Sequence, residues 1–243
     1  MRAMILAAGF GTRLKPITAH TPKALIEING TPLIELQIKK ILSLGFSEII
    51  INVHHLADKI IEFVNSKSWN GANIEISTEE KILETGGGLK KASWFFAGDE
   101  PFLVHNVDII TNLNIQRMID IHQEAESLST IAVRRRNTKR YFLIDEEKNL
   151  CGWKSIDKNE TLLKRKPVGE ISELSFMGVH MMSPKIFSFM PSEEKFSLVD
   201  LYLNLAEKEL PVKAFEDNNS EWLDIGRKEN LLIAKNIANK VFQ

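Results

Sequence analysis

The sequence has little that would place it outside the ordinary globular proteins. Its 243 residues include one cysteine, Cys151, which allows neither an internal disulfide nor a cysteine metal cluster. The 31 Lys and Arg residues nearly cancel the 32 Asp and Glu residues, so no overall positive field indicates a nucleic-acid partner. No apolar run approaches the roughly 18 residues of a membrane-spanning helix, and the run before Gly9 is too short for a signal peptide. We therefore expect a cytoplasmic protein that acts on small molecules, without a nucleic-acid or membrane partner.

Apolar runs of strand length alternate with segments of helical period along the chain. Residues 3–8, 48–53 and 102–107 have the composition of buried strands, and helical segments connect them. This alternation is typical of a parallel sheet that helices cover on both faces. Residues 130–153 instead have the pattern of hairpin strands, which makes the sheet mixed. We predict an α/β fold, a Rossmann-like three-layer α/β/α arrangement with a mixed, mainly parallel central sheet, in one domain over residues 1–243.

Proline and glycine predict two helix starts. Thr31 and Pro32 have the residue types of an N-cap and a first helical position, and Gly45 is expected to end that helix. Three consecutive glycines, at positions 86–88, are expected to open a helix over residues 86–96.

The first predicted strand leads into a glycine-rich segment, LAAGFGTRLKP, at residues 6–16. Open α/β sheets bind ligands at the carboxyl ends of their strands, and glycines there let backbone N–H groups approach a phosphate. A dinucleotide fingerprint would need a third glycine at Leu14, and the spacing of a P-loop is absent. Arg13 and Lys23 supply two cations that would balance a triphosphate. Taken alone, the segment also fits a tight turn with solvated basic residues.

Two aspartates stand beside apolar strands in distant parts of the sequence. Asp108 follows the strand at residues 102–107, and Asp224 lies within the segment WLDIG at residues 222–226. An ionised carboxylate near a core needs a cation or hydrogen-bond donors. Mg²⁺ is a suitable cation because it takes a few carboxylates together with substrate phosphates and water. From the residues alone, each aspartate could instead cap a turn or pair with a lysine.

The residue order from Leu6 to Lys23 resembles the signature of the sugar-1-phosphate nucleotidyltransferases. Within that family the chain is most similar to the short N-acetylmuramate-1-phosphate uridylyltransferases. The similarity continues in four further segments, at residues 84–88, 104–108, 175–183 and 222–226.

The resemblance implies a reaction in which a phosphate oxygen of a sugar 1-phosphate attacks the α-phosphorus of a nucleoside triphosphate, giving an NDP-sugar and pyrophosphate. This nucleophile is already an anion near neutral pH. Catalysis therefore needs no general base and reduces to positioning, metal charge and cationic contacts with the phosphates. By resemblance, Asp108 and Asp224 would bind Mg²⁺, Arg13 would contact the leaving β,γ-phosphates, and Lys23 would contact the α-phosphate.

The resemblance also assigns binding residues, with two departures from the family pattern. Val107 replaces a glycine that many relatives have before the first aspartate, and Arg165 replaces their glutamate. Gly87 and Lys166 would contact the sugar phosphate. The basic cluster at residues 134–136 is interpreted as a solvated strand edge. The expected nucleotide-binding residues are Ala7, Ala8, Gly9, Gly11, Thr12, Glu80, Thr85, Gly86 and Gly88.

UTP with an amino-sugar phosphate, such as N-acetylmuramate 1-phosphate, is the first expected substrate pair. The alternatives are GTP with mannose 1-phosphate, dTTP with glucose 1-phosphate, and a phosphocholine cytidylyltransferase. A catalytically silent nucleotide-binding regulatory module would be expected to lack one or more of the four catalytic residues, and all four are present. Because the chain ends soon after Asp224, no C-terminal β-helix domain is expected. The oligomeric state stays open.

Overall fold

A computed structural model describes residues 1–242 and contains a ten-stranded mixed sheet with two short two-stranded sheets. The strands are β1 (Arg2–Leu6), β2 (Glu27–Ile28), β3 (Thr31–Pro32), β4 (Glu48–Val53), β5 (Asn73–Thr78), β6 (Phe102–Asn106), β7 (Ile109–Thr111), β8 (Ser129–Arg134), β9 (Arg140–Ile144), β10 (Leu150–Ser155), β11 (Glu160–Leu163), β12 (Ser172–Met182), β13 (Val212–Glu216) and β14 (Trp222–Asp224). The α-helices are α1 (Leu33–Ser43), α2 (Ala57–Asn65), α3 (Glu84–Lys91), α4 (Ile115–Glu124), α5 (Leu198–Glu207) and α6 (Lys228–Val241). Within residues 1–242, none of the helices combines the length and apolar composition that crossing a bilayer requires.

The large sheet has the strand order β11-β10-β9-β12-β6-β1-β4-β5, and β8 pairs with both β12 and β13. The neighbours β6, β1, β4 and β5 are parallel, so their carboxyl ends meet at one edge of the sheet. Strands β9 to β12 pair antiparallel. The predicted α/β fold with a mixed sheet is therefore confirmed.

Helices pack against both faces of the sheet. Met4 of β1 belongs to a core cluster that includes Leu89 of α3 and Leu201 of α5. Its neighbours Ala3 and Ile5 belong to a second cluster, which buries apolar residues of α1, α2 and α4. Successive side chains of a strand point to opposite faces, so each buried strand contributes to both clusters. This arrangement gives the three layers that the sequence predicts.

The two helix starts that proline and glycine predicted differ from the structure. Thr31 and Pro32 form β3, which pairs with β2 across the turn at Asn29 and Gly30. Both turn residues have positive φ angles, of 54° and 78°, as a two-residue hairpin turn requires. Helix α1 therefore begins at Leu33. The three glycines lie inside α3 rather than at its start, and a separate 3₁₀ turn over Ser93–Phe95 follows that helix.

Candidate active site

A cleft of about 300 Å³ opens over the carboxyl ends of β1, β4 and β6. The cleft contains the glycine-rich segment, both predicted cations and one of the two aspartates. Of the residues that sequence analysis assigned to the site, Ala7, Ala8, Gly9, Gly11, Thr12, Arg13, Lys23, Thr85 and Asp108 line it. Leu6, Asn52, Glu79, Ile82, Glu84, Asn106, Val107 and Gly226 also line it.

The glycine-rich loop has one glycine that faces open space and one that shapes the turn. A Cβ built at Gly9 would have no neighbour within 4 Å, so this position leaves room in the cleft. Gly11 has a φ of 61°, and its carbonyl accepts hydrogen bonds from the Thr18 hydroxyl at 2.8 Å and from the Leu14 N–H at 2.9 Å. The left-handed conformation at Gly11 favours glycine. Hydrogen bonds to the Gly11 carbonyl thus fix the loop, while the space in front of Gly9 stays open.

The two aspartates converge although they stand 116 positions apart in the sequence. Strand β14 pairs antiparallel with β7, and this register places Asp224 opposite Ile109. The N–H of Ile225 donates to the carbonyl oxygen of Asp108 at 2.8 Å. The sequence does not predict β7, because this strand is only three residues long. This short strand is the element that brings the second acid to the first.

Each aspartate uses one carboxylate oxygen within the protein. Asp108 Oδ2 forms an ion pair with Lys23 Nζ, and Asp224 Oδ1 accepts a hydrogen bond from the N–H of Gly226 at 2.7 Å. Among the described residues, no other side chain or backbone N–H donates to the remaining oxygens, Asp108 Oδ1 and Asp224 Oδ2. Two carboxylate oxygens are therefore available for a cation.

Arg13 also lies close to Asp224. A Cβ built at Gly226 would stand 2.7 Å from Arg13 Nη2 and 2.7 Å from Asp224 Oδ1. A Cβ at position 226 would therefore require the guanidinium or the carboxylate to shift. Glycine at this position lets the cation of the loop approach the second acid.

The donor set fits Mg²⁺. Residues 1–242 contain no cluster of three or more His, Cys, Asp or Glu side chains that could hold a metal by protein ligands alone. Mg²⁺ commonly binds one or two carboxylates and completes its octahedron with water and substrate phosphates. Asp108 and Asp224 next to a phosphate-sized cleft meet that requirement.

The buried acid of the cleft is Glu79 rather than Glu80. Glu79 is only 3% exposed, and its Oε1 accepts from Asn52 Nδ2 at 2.8 Å while its Oε2 accepts from the Leu83 N–H at 2.7 Å. Glu80 is exposed and does not line the cleft. The strand alternation is the signal that sequence analysis missed, since Ser77 and Glu79 point to one side and Glu80 to the other.

The three glycines of α3 serve packing, and they do not line the cleft. The N–H groups of Gly86 and Gly87 donate to the carbonyl of Phe196 at 3.0 and 3.1 Å. A Cβ on Gly88 would stand 2.7 Å from Glu79 Oε1. The resemblance implies nucleotide contacts for Gly86 and Gly88 and a sugar-phosphate contact for Gly87. The helix approaches its neighbours closely because it lacks side chains there.

Lys166 is not brought to the cleft. Lys164 forms an ion pair with Glu207 at 3.1 Å, and Arg165 donates to a backbone carbonyl just beyond α5 at 3.4 Å. These contacts draw the segment to the carboxyl-terminal end of α5, whereas the other end of α5 contacts Thr85 at the cleft. Lys166 itself is exposed. The sugar-phosphate contact expected of it has no support from this geometry.

The chain is similar to known proteins over almost its whole length. The nucleotidyl transferase family model matches residues 2–240. The chain is 31% identical to the UTP–glucose-1-phosphate uridylyltransferase of Synechocystis sp., over 93% of this chain and 60% of that protein. It is 31% identical to the N-acetylmuramate alpha-1-phosphate uridylyltransferase of Caulobacter vibrioides, over 84% of each chain. It is 27% identical to the mannose-1-phosphate guanyltransferase of Yarrowia lipolytica, over 96% of this chain and 62% of that protein.

A solved structure shows the same fold. The inositol-1-phosphate CTP transferase from T. maritima superposes with a TM-score of 0.78 at 19% identity, covering 99% of this chain and 95% of that one. The chain spans about three fifths of the length of the Synechocystis and Yarrowia relatives. The family match nevertheless extends over nearly every residue and includes both aspartate segments and the glycine-rich loop. On these grounds the chain belongs to the nucleotidyl transferase family, among the sugar-1-phosphate nucleotidyltransferases.

Proposed function

We propose that this protein joins a nucleoside triphosphate to a sugar 1-phosphate, releasing pyrophosphate, with Mg²⁺ held by Asp108 and Asp224. The observation that carries the proposal is the backbone link between the two acid segments, the hydrogen bond from Ile225 to Asp108 beside the glycine-rich loop. UTP is the first expected nucleotide, since two relatives at 31% identity are named uridylyltransferases. N-acetylmuramate 1-phosphate is the first candidate acceptor.

The chemistry follows from the charges in the cleft. A phosphate oxygen of the acceptor forms a bond to the α-phosphorus, and the bond from that phosphorus to pyrophosphate breaks with both electrons leaving on pyrophosphate. When bound, Mg²⁺ supplies positive charge that offsets the charge of the reacting phosphates. Arg13 binds the departing β,γ-phosphates, and Lys23, already inside the cleft, binds the α-phosphate. No proton needs to be moved, because the nucleophile is an anion.

Glu79 is the candidate group for reading the base. An ionised carboxylate only accepts hydrogen bonds, so it selects a base edge that presents an N–H. Uracil, thymine and guanine present one at a ring nitrogen and cytosine presents one at its amino group, so the carboxylate alone does not choose among these bases. Uridylyltransferases and a guanyltransferase are among the relatives, and GTP, dTTP and CTP are the alternatives to test beside UTP.

We expect Glu79→Gln to raise the KM for the nucleotide about tenfold, because a charge-assisted hydrogen bond contributes roughly 1.5 kcal/mol or more. Glu80→Gln is the matched control, since it changes the adjacent, exposed acid and should leave the KM within about twofold. Steady-state pyrophosphate release measures both variants, and thermal unfolding checks the fold. If Glu80→Gln had the larger effect, the assignment of Glu79 would be wrong.

A substrate panel tests the proposed function itself. Purified protein is incubated with each of UTP, GTP, dTTP and CTP against N-acetylmuramate, glucose and mannose 1-phosphates and phosphocholine, with Mg²⁺ or with EDTA. We expect pyrophosphate release with Mg²⁺ for a sugar phosphate and its loss with EDTA. Tight nucleotide binding without pyrophosphate release for any pair would contradict an enzyme and support a regulatory module. Turnover of phosphocholine alone would contradict a sugar acceptor.

A further inference from the structure

Arg136, just beyond the end of β8, is held in a fixed orientation. Its Cζ lies 4.4 Å from the ring centroid of Trp222, and its Nε donates to Ser175 Oγ at 3.2 Å. The Ser175 hydroxyl donates in turn to the carbonyl of Arg134 at 3.0 Å. Stacking on an aromatic face and one hydrogen bond together fix the plane of a guanidinium. The side chain is thus positioned before any ligand arrives.

The outer edge of this guanidinium has no partner within residues 1–242. Neither Nη1 nor Nη2 of Arg136 donates to a protein acceptor there, and no carboxylate of that part of the chain pairs with it. The adjacent Arg135 differs, because it forms an ion pair with Glu216 at 2.9 Å. Arg136 is exposed, as expected of a solvated strand edge, but its guanidinium is stacked on Trp222 and presents two free donors.

Arg136 stacks on Trp222, which lies two residues before Asp224 on β14. Trp222 and Asp224 are two residues apart on β14, so their side chains lie on the same face, while Leu223 between them is buried in a core cluster. Arg136 is exposed as a residue, but partial desolvation lowers the pKa of its guanidinium, the charge of Asp224 raises it, and the charges of Arg134 and Arg227 lower it. Arginine stays protonated regardless. The site is therefore a cationic surface beside the second acid.

The strand order places this surface across the acids from the glycine-rich loop. The loop with Arg13 follows β1, Asp108 follows β6, and Arg136 follows β8, which is separated from β6 by β12. In phosphoryl transfer the attacking and leaving oxygens lie roughly in line on opposite sides of the phosphorus. If the loop holds the leaving pyrophosphate, the nucleophile must enter from the side of β8.

We propose that Arg136 binds the phosphate of the acceptor, a phosphomonoester dianion, through Nη1 and Nη2. The proposal rests on the proposed function and adds an acceptor-binding residue to it. The planar pair of donors matches two oxygens of a phosphate, and the third oxygen is left to attack the α-phosphorus. Arg136 neither gives nor takes a proton in this step. The positive charge of Arg136 offsets the negative charge of the acceptor phosphate when that phosphate approaches Asp224.

The test compares Arg136→Gln with Arg135→Gln, two neighbouring variants that each remove one charge. For the substrate pair that the wild type turns over, we expect Arg136→Gln to raise the KM for the sugar phosphate at least about tenfold, with the nucleotide KM and kcat within about twofold. Arg136→Lys keeps the charge without the paired donors and should fall between. Arg135→Gln should leave both KM values within about twofold. Equal unfolding temperatures exclude a general loss of structure.

Several outcomes would overturn the proposal. An equal rise in the nucleotide KM would place Arg136 on the nucleotide, and unchanged constants would make it structural. A rise confined to acceptors that carry a carboxylate on the sugar would mean that Arg136 reads that carboxylate and not the phosphate. A wild type that turns over no pair contradicts the proposed function, whereas an active wild type with an unaltered Arg136→Gln variant contradicts only the role of Arg136.

Discussion

Asp108→Asn should lower kcat at least about a thousandfold, which corresponds to about 4 kcal/mol of lost transition-state stabilisation. The substitution keeps the shape of the side chain and removes one of the two charges that would hold Mg²⁺. Lys23 would also lose the carboxylate with which it pairs. The measurement is pyrophosphate release with both substrates and Mg²⁺ at saturation.

Asp120→Asn is a matched control for this variant. Asp120 is exposed on α4 and accepts a hydrogen bond only from Gln116, among the described residues. Its activity should stay within about twofold of the wild type, as exposed substitutions away from a site usually do little. Circular dichroism and thermal unfolding confirm that both variants fold. An Asp108→Asn protein that kept a tenth or more of its activity would remove Asp108 from the metal site.

Gly87→Ala should destabilise the fold by about 3 kcal/mol. A Cβ at this position would stand 2.0 Å from the carbonyl oxygen of Glu194 and 2.8 Å from Leu83 Cβ. Neither atom is the end of a flexible side chain, so the backbone of α3 or of its neighbour must move, and overpacking of this kind commonly costs about 1 to 3 kcal/mol or more. Urea unfolding, with its midpoint and slope, measures the change.

Gly9→Ala should weaken nucleotide binding without lowering the stability of the fold. Its Cβ would meet no protein atom within 4 Å, and its φ lies outside the left-handed region, so stability should stay within about 0.5 kcal/mol. The methyl group would instead enter the cleft and raise the KM for the nucleotide.

A Gly87→Ala protein as stable as the wild type would show that α3 can move away from residue 194 at little cost.

Most of the sheet could be predicted from sequence because its strands are local apolar runs. Strand Glu48–Val53 has the predicted bounds, and strands Arg2–Leu6 and Phe102–Asn106 correspond to the predicted strands at residues 3–8 and 102–107. The short strand Ile109–Thr111 could not be predicted, since three residues carry no period of their own. It exists because a segment about 110 residues later pairs with it, and no local pattern reports such a pairing.

The residues of the site likewise fall into two groups, those that a local sequence pattern identifies and those that it does not. The segment from Ala7 to Lys23 is contiguous in the sequence, so its residue order is enough to identify the loop that lines the cleft. Glu79 and Arg136 are different, because their surroundings depend on Asn52 and Trp222, which are distant in sequence. A residue that becomes functional by packing against a distant partner leaves little trace in its own neighbours. The position of the three glycines inside α3 is not predicted for the same reason, since the residues they pack against, Glu194 and Phe196, are distant in sequence.

The pairing of β14 with β7 has a consequence for a cleaved chain. A cut in the exposed segment at residues 218–219 would leave the loop, both loop cations and Asp108 on one fragment and Asp224 on the other. The smaller fragment carries α6, whose Ala234 and Ala238 are buried with Leu14 from the loop region. The two fragments therefore share an apolar interface through which they can reassociate. Turnover by a mixture of two fragments that are inactive separately would report this reassociation.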